Sequence, residues 1–155
     1  KKIYYDSVFN VKIVLNSEKN HRAWILGRQY RKKKDIEAAI SNIVWLTYRE
    51  HISGKLVQSD VGWGCMIRVG QMLLAETFRR HLKYNEQQNR QQLLNILSAF
   101  IDDDEGLEHV GNYSIQKIAK EAMEEYKMHV GQWHSPSSIS YCLQTLHYRN
   151  PLRGT

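Results

Sequence analysis

The sequence predicts an α+β chain whose visible part is mostly helical, and three observations lead there. Apolar residues recur at three- and four-residue spacing in several separate stretches, and Asp35, Ser114 and Ser135 stand where helices would open. Two-residue alternation is confined to the start of the chain. With 155 residues, 42% hydrophobic and 25% charged, the composition is that of one globular domain able to bury a core without disulfides or metal.

Taken in order, Ile3, Tyr5, Phe9, Val11, Ile13 and Leu15 sit at odd positions and suggest one or two short strands before a polar stretch from Asn16 to Arg22. Trp24-Ile25-Leu26-Gly27-Arg28 is a short apolar segment closed by glycine and is expected to anchor a loop to the core. Asp35 is expected to cap a helix carrying Ile36, Ala39, Ile40, Ile43 and Val44 toward Tyr48. Ser53-Gly54 breaks the chain. A second helix follows the turn Ser59 to Gly64, with Met66, Val69, Gly70, Leu73, Leu74 and Phe78 on its expected apolar face.

A third helix around Leu93, Leu94, Leu97 and Phe100 runs into Asp102-Asp103-Asp104-Glu105-Gly106, which lacks the ligand spacing of a calcium loop and is expected to be a solvated turn. Ser114 opens a fourth helix with a continuous stripe of Ile115, Ile118, Ala119, Ala122, Met123 and Tyr126. Ser135-Pro136 opens a fifth with Ile139, Leu143 and Leu146 inward.

Composition narrows the function classes. Two cysteines, Cys65 and Cys142, cannot build a secreted disulfide framework or a paired zinc site, so reduced thiols in the cytoplasm are expected. No apolar run is long enough to span a bilayer, which leaves only peripheral membrane contact. The net charge of +6 is spread out, with Arg31-Lys32-Lys33-Lys34 its one dense run and no RNA-binding signature beside it, so nucleic acid is not an expected partner.

Chemistry concentrates at Cys65. Gly62-Trp63-Gly64-Cys65-Met66 brings a cysteine through a glycine-rich turn to a helix start, where unpaired N–H groups and the positive dipole end favour a thiolate. Helix position contributes only about 0.3–1 kcal/mol, roughly 0.2–0.7 pKa unit. Full activation of such a thiol needs a histidine, both to form the ion pair and to protonate the leaving amine.

The segment Ser59 to Arg68, continuing to Gly70-Gln71-Met72, resembles the nucleophile segment of the autophagins, the autophagy-related cysteine proteases. Other pieces match in order. They are Trp24-Ile25-Leu26-Gly27-Arg28-Gln29-Tyr30, Trp45-Leu46-Thr47-Tyr48-Arg49, Ala99 to Asp102, Tyr113 to Ala119 and Gly131-Gln132-Trp133. The resemblance runs from about Trp24 to Leu146 and implies a papain-like fold, with residues 23–155 the N-terminal, nucleophile part of a peptidase domain and residues 1–22 unmatched.

It implies Cys65 as nucleophile, Tyr48 as a hydroxyl donor to the oxyanion, and Trp133 lining the cleft that admits the substrate's glycine. The implied substrate is a ubiquitin-like autophagy modifier, free or conjugated to phosphatidylethanolamine; no cofactor is implied. The family's general base and its orienting acid lie in a later Asp-Pro-His element. The chain's two prolines, Pro136 and Pro151, stand in no such motif, so the catalytic C-terminal half is expected to be absent and the chain alone inactive. His134 falls at a non-catalytic position of the family, and His51, His81, His109 and His147 are expected at the surface. A module that binds the modifier without cutting it is the alternative. A domain cut in this way is expected to leave apolar helix faces uncovered.

Overall fold

The structure, a computed structural model, describes residues 22–52, 55–82, 90–102 and 110–152. The strands expected between Ile3 and Leu15 lie outside the described residues, as do Asp103 to Gly106 and His109. The chain divides into two compact units, residues 1–44 and 45–155.

In the first unit, β1 (Ala23–Ile25) pairs antiparallel with β2 (Arg28–Tyr30), with Ala23 opposite Tyr30 and Ile25 opposite Arg28. Leu26 and Gly27 both have positive φ, 48° and 83°, the conformation that lets a two-residue turn follow the strand twist. The expectation that this segment anchors a loop through its apolar residues is corrected: Trp24 is 69% exposed and Leu26 also faces outward. Strand alternation is the reason, since Ala23 and Ile25 share the better-covered face and Trp24 takes the other.

Helix α1 (Lys33–Ser41) starts two residues before Asp35, which sits in the first turn, where its charge suits the dipole, rather than at the cap. It ends at Asn42, so it does not run on toward Tyr48. Ser41 and Asn42 favour a helix end, and the β-branched Ile43 and Val44 do little to prolong one.

The second unit holds α2 (Cys65–His81), α3 (Arg90–Ser98), α4 (Ile115–Tyr126) and α5 (Pro136–Arg149). Helix α5 packs against both α4 and α2, and α3 packs against α2. Ile67 of α2, Ile115, Ile118 and Ala122 of α4, and Ile139 and Cys142 of α5 close the core over Val57 and Trp63. Each large apolar side chain buried there contributes roughly 1.5–3 kcal/mol. Both serine caps form as expected: Ser114 Oγ accepts from Lys117 N at 3.3 Å and Ser135 Oγ from Ser138 N at 3.1 Å, with Pro136 in the first turn of α5.

The expected apolar face of α2 is only partly covered. The buried residues of this helix are Ile67, Arg68, Gln71, Ala75 and Phe78, whereas Leu73 is 63% exposed and Val69 about half exposed. Met66, Val69, Leu73, Ile139 and Leu143 line an apolar groove of about 400 Å³ between α2 and α5. Phe78, Phe100 and Tyr113 form a second cluster, with Tyr113 ring centroids 5.5 and 5.6 Å from the two phenylalanines. His147 joins it through a 2.7 Å hydrogen bond between Nδ1 and the Tyr113 hydroxyl, which corrects its expected surface placement. Among the described residues, no helix is long and apolar enough to cross a membrane.

Candidate active site

The turn before α2 is built on Asp60. Its carbonyl accepts from Trp63 N at 3.3 Å and Gly64 N at 2.8 Å, and Gly62 takes φ +87° to close the bend. A Cβ on Gly64 would lie 2.7 Å from Asp60 Cβ and 2.9 Å from its carbonyl oxygen, so glycine there lets the helix start directly against the turn. Trp63 buries its ring and donates Nε1–H to Ser59 O at 2.9 Å.

Cys65 is thereby the first residue of α2, half-buried and free of disulfide, with Sγ 3.9 Å from Trp63 O. That contact is long and weak, and Cys65 opens a helix whose first-turn N–H groups lack intrahelical partners.

A charged cluster lies beneath the turn. Arg68, Asp60, Asp102 and Gln71 are all buried. Arg68 Nε donates to Asp60 Oδ2 at 2.6 Å, and Nη1 donates to Asp102 Oδ2 and to Gln71 Oε1, the latter at 3.1 Å. Burial works against the Arg68 charge, but Asp102 and then Asp60 outweigh it and hold its pKa above the ordinary value. Asp102 also accepts the α4 N–H of Ile115 at 2.7 Å, so it is buried and paired, which corrects the solvated turn expected at that residue.

Tyr48 lies in the non-helical stretch 44–49 and is partly buried. The next residue is tied to the turn: Arg49 N donates to Asp60 Oδ1 at 2.6 Å, and Arg49 O accepts from Asp60 N and Ser59 Oγ, both at 3.2 Å. Trp133 is tied to the same turn from the other direction in sequence, donating Nε1–H to Gly62 O at 2.7 Å while its side chain stays 75% exposed. An indole held by its polar edge with its faces open is a contact surface, not core.

His134 is 5% exposed, with its ring 6.3 Å from that of Trp63 and both ring nitrogens without a hydrogen-bond partner among the described residues. Burial lowers its pKa, so it packs as a neutral ring. Among the described residues, no histidine hydrogen-bonds to Cys65.

Residues 33–154 match the peptidase C54 catalytic domain. The chain belongs to the peptidase C54 family, the autophagins. It is 36% identical to the cysteine protease ATG4B of Xenopus laevis over 134 residues, covering 79% of this chain and 33% of that protein. It is 34% identical to ATG4B of Gallus gallus over 141 residues, 83% of this chain and 34% of the relative. The human cysteine protease ATG4A is 36% identical over 137 residues, 79% and 32% of the two chains. The chain thus spans about a third of the length of these curated relatives. The papain-like α+β class expected of an autophagin agrees with this family and, among the described residues, with helices and one small hairpin.

Within this C54 segment the structure ties the turn before Cys65 to Trp133 and to the residue after Tyr48. Asp60, which ties the turn to Arg49, and Arg68, which bonds to Asp60, were not singled out by sequence reasoning. The available signal was an acid and a base of opposite sign flanking Cys65 at positions −5 and +3, the latter on a helix one turn beyond it.

Proposed function

We propose that the chain supplies the nucleophile part of a cysteine peptidase of autophagy. It cleaves a ubiquitin-like modifier after its C-terminal glycine and releases the same modifier from phosphatidylethanolamine. Cys65 attacks the carbonyl carbon; its own backbone N–H and the Tyr48 hydroxyl stabilise the oxyanion, where one lost donor typically costs 10²–10³-fold in rate. Trp133 forms a wall of the cleft that admits the glycine.

The observation that carries the reading is the attachment of the Trp133 indole to Gly62 O, three residues before a cysteine that begins a helix, inside a C54 match. The base and its orienting acid come from the Asp-Pro-His element that this sequence lacks. A modifier bearing a C-terminal extension is therefore to be incubated with the chain, with a form lengthened by the downstream sequence of its transcript, and with the Cys65→Ala variant of each. Cleavage by the lengthened form alone, abolished by Cys65→Ala, is expected. Cleavage that persists in Cys65→Ala would overturn the assignment.

A second reading, a module that binds the modifier without cutting it, draws on the thiol's lack of a histidine partner among the described residues. It requires binding that survives Cys65→Ala with no cleavage by either length, and undetectable binding would end it.

A further inference from the structure

We infer that Asp60 and Arg68 are a positioning pair that holds the Tyr48 segment and Cys65 in register, a role that rests on the reading of these two residues given above. One aspartate serves both sides. Its Oδ1 takes the N–H of Arg49, directly after Tyr48, at 2.6 Å, and its carbonyl takes the N–H groups of Trp63 and Gly64, directly before Cys65. Its Oδ2 takes Arg68 Nε at 2.6 Å, and Arg68 stands one helical turn beyond Cys65 on the same helix.

Arg68 is itself fixed. Its Nη1 engages Asp102, which accepts the first N–H of α4, and Gln71, which donates to Tyr113 O at 2.7 Å. In a buried network any slip of the turn leaves a carboxylate or guanidinium unpaired in low dielectric, so the arrangement tolerates few alternatives. Only a planar fork reaches both aspartates from one side chain; a lysine ammonium keeps the charge and loses the fork.

The test follows the thiol. The chain, Arg68→Lys and Asp60→Asn are treated with iodoacetamide from about pH 6 to about pH 10, and modification of Cys65 and Cys142 is read separately by peptide mass spectrometry. Buried Cys142 reports opening of the fold. In each variant the Cys65 rate at neutral pH is expected to fall about two- to fivefold, which is the share that alignment with the helix start supplies. Cys142 is expected to stay unmodified.

An unchanged Cys65 profile in a variant whose Cys142 stays protected overturns the inference. If one variant exposes Cys142, the other decides; if both do, the pair is a general pillar of the fold and the assignment fails. Loss of the peptidase reading in the cleavage assay leaves these thiol profiles standing, so the two failures are told apart.

Discussion

Cys65 and Cys142 are the same chemical group in two regions of one helical unit, and almost everything about them differs. Cys65 begins α2, half-buried, against a turn whose carbonyls and N–H groups are fixed. Cys142 lies within α5 with no exposed surface, packed in the core with Ile118 and Ile139. Burial first, and then the nearby charge of Glu121, push its thiol up to about 11. Reactivity in this chain is thus set by where a helix places its sulfur. One thiol stands half-buried at a helix start, and the other is a small apolar side chain in all but name.

The largest expected expression of that difference is chemical. At pH 8 only about one Cys142 in a thousand would be thiolate even with full access to reagent. Iodoacetamide should therefore modify Cys65 at least about a hundredfold faster in the folded chain, as read by peptide mass spectrometry. Comparable rates would erase the contrast.

The next expression is energetic. Cys142→Ser places a hydroxyl in an apolar site and should cost about 1–3 kcal/mol of stability, whereas Cys65→Ser should stay within about 0.5 kcal/mol. Urea unfolding midpoints of the two variants measure the gap.

The alkaline limb sharpens the same comparison. The Cys142 pKa is raised in the folded state, so its contribution is fully present below about pH 9 and lost as pH rises toward about 11. Stability should fall across that window, and Cys142→Ala should flatten the fall, as read by unfolding midpoints at successive pH values.

The smallest effect concerns the rim. Trp133→Phe removes the indole bond to Gly62 O, worth about 0.5–1.5 kcal/mol, and should alter Cys65 labelling by no more than a few fold while leaving Cys142 protected. A change at Cys142 would show that the indole bond supports the core as well as the turn.

How far these two regions were legible in the sequence follows from what each is made of. The core around Cys142 is apolar at helical spacing, so Ile115, Ile118, Ala119, Ala122 and Ile139 read directly, and Ser114 and Ser135 announced their helices by cap chemistry. The start of α2 was also readable, because Gly62 and Gly64 leave few other ways to enter a helix.

The charged part of the rest failed because pattern reading sends charges to water. Arg68 bonds to Gln71 and Asp102 inside, with Nη2 alone of its guanidinium nitrogens left without a partner among the described residues, so the most buried face of α2 was not the one its apolar residues marked. The aromatic Trp133 would pass for core by composition alone, and only the fold reveals that its indole is pinned at the surface. Tyr48 was expected at a helix end because Ile43 and Val44 continue a helical rhythm, although Ser41 and Asn42 had already ended the helix.

The sharing of Asp60 also shapes how this segment can change by mutation. A carboxylate that serves the stretch after Tyr48 and α2 at once makes substitutions at positions 49, 60, 68 and 102 interdependent, so their effects should not add. A replacement at one of these positions is expected to be tolerated or rejected according to the residues at the other three. Variation here should move as a set, with single steps disfavoured and compensated pairs permitted, while an apolar position such as Ile118 can drift alone among residues of similar volume.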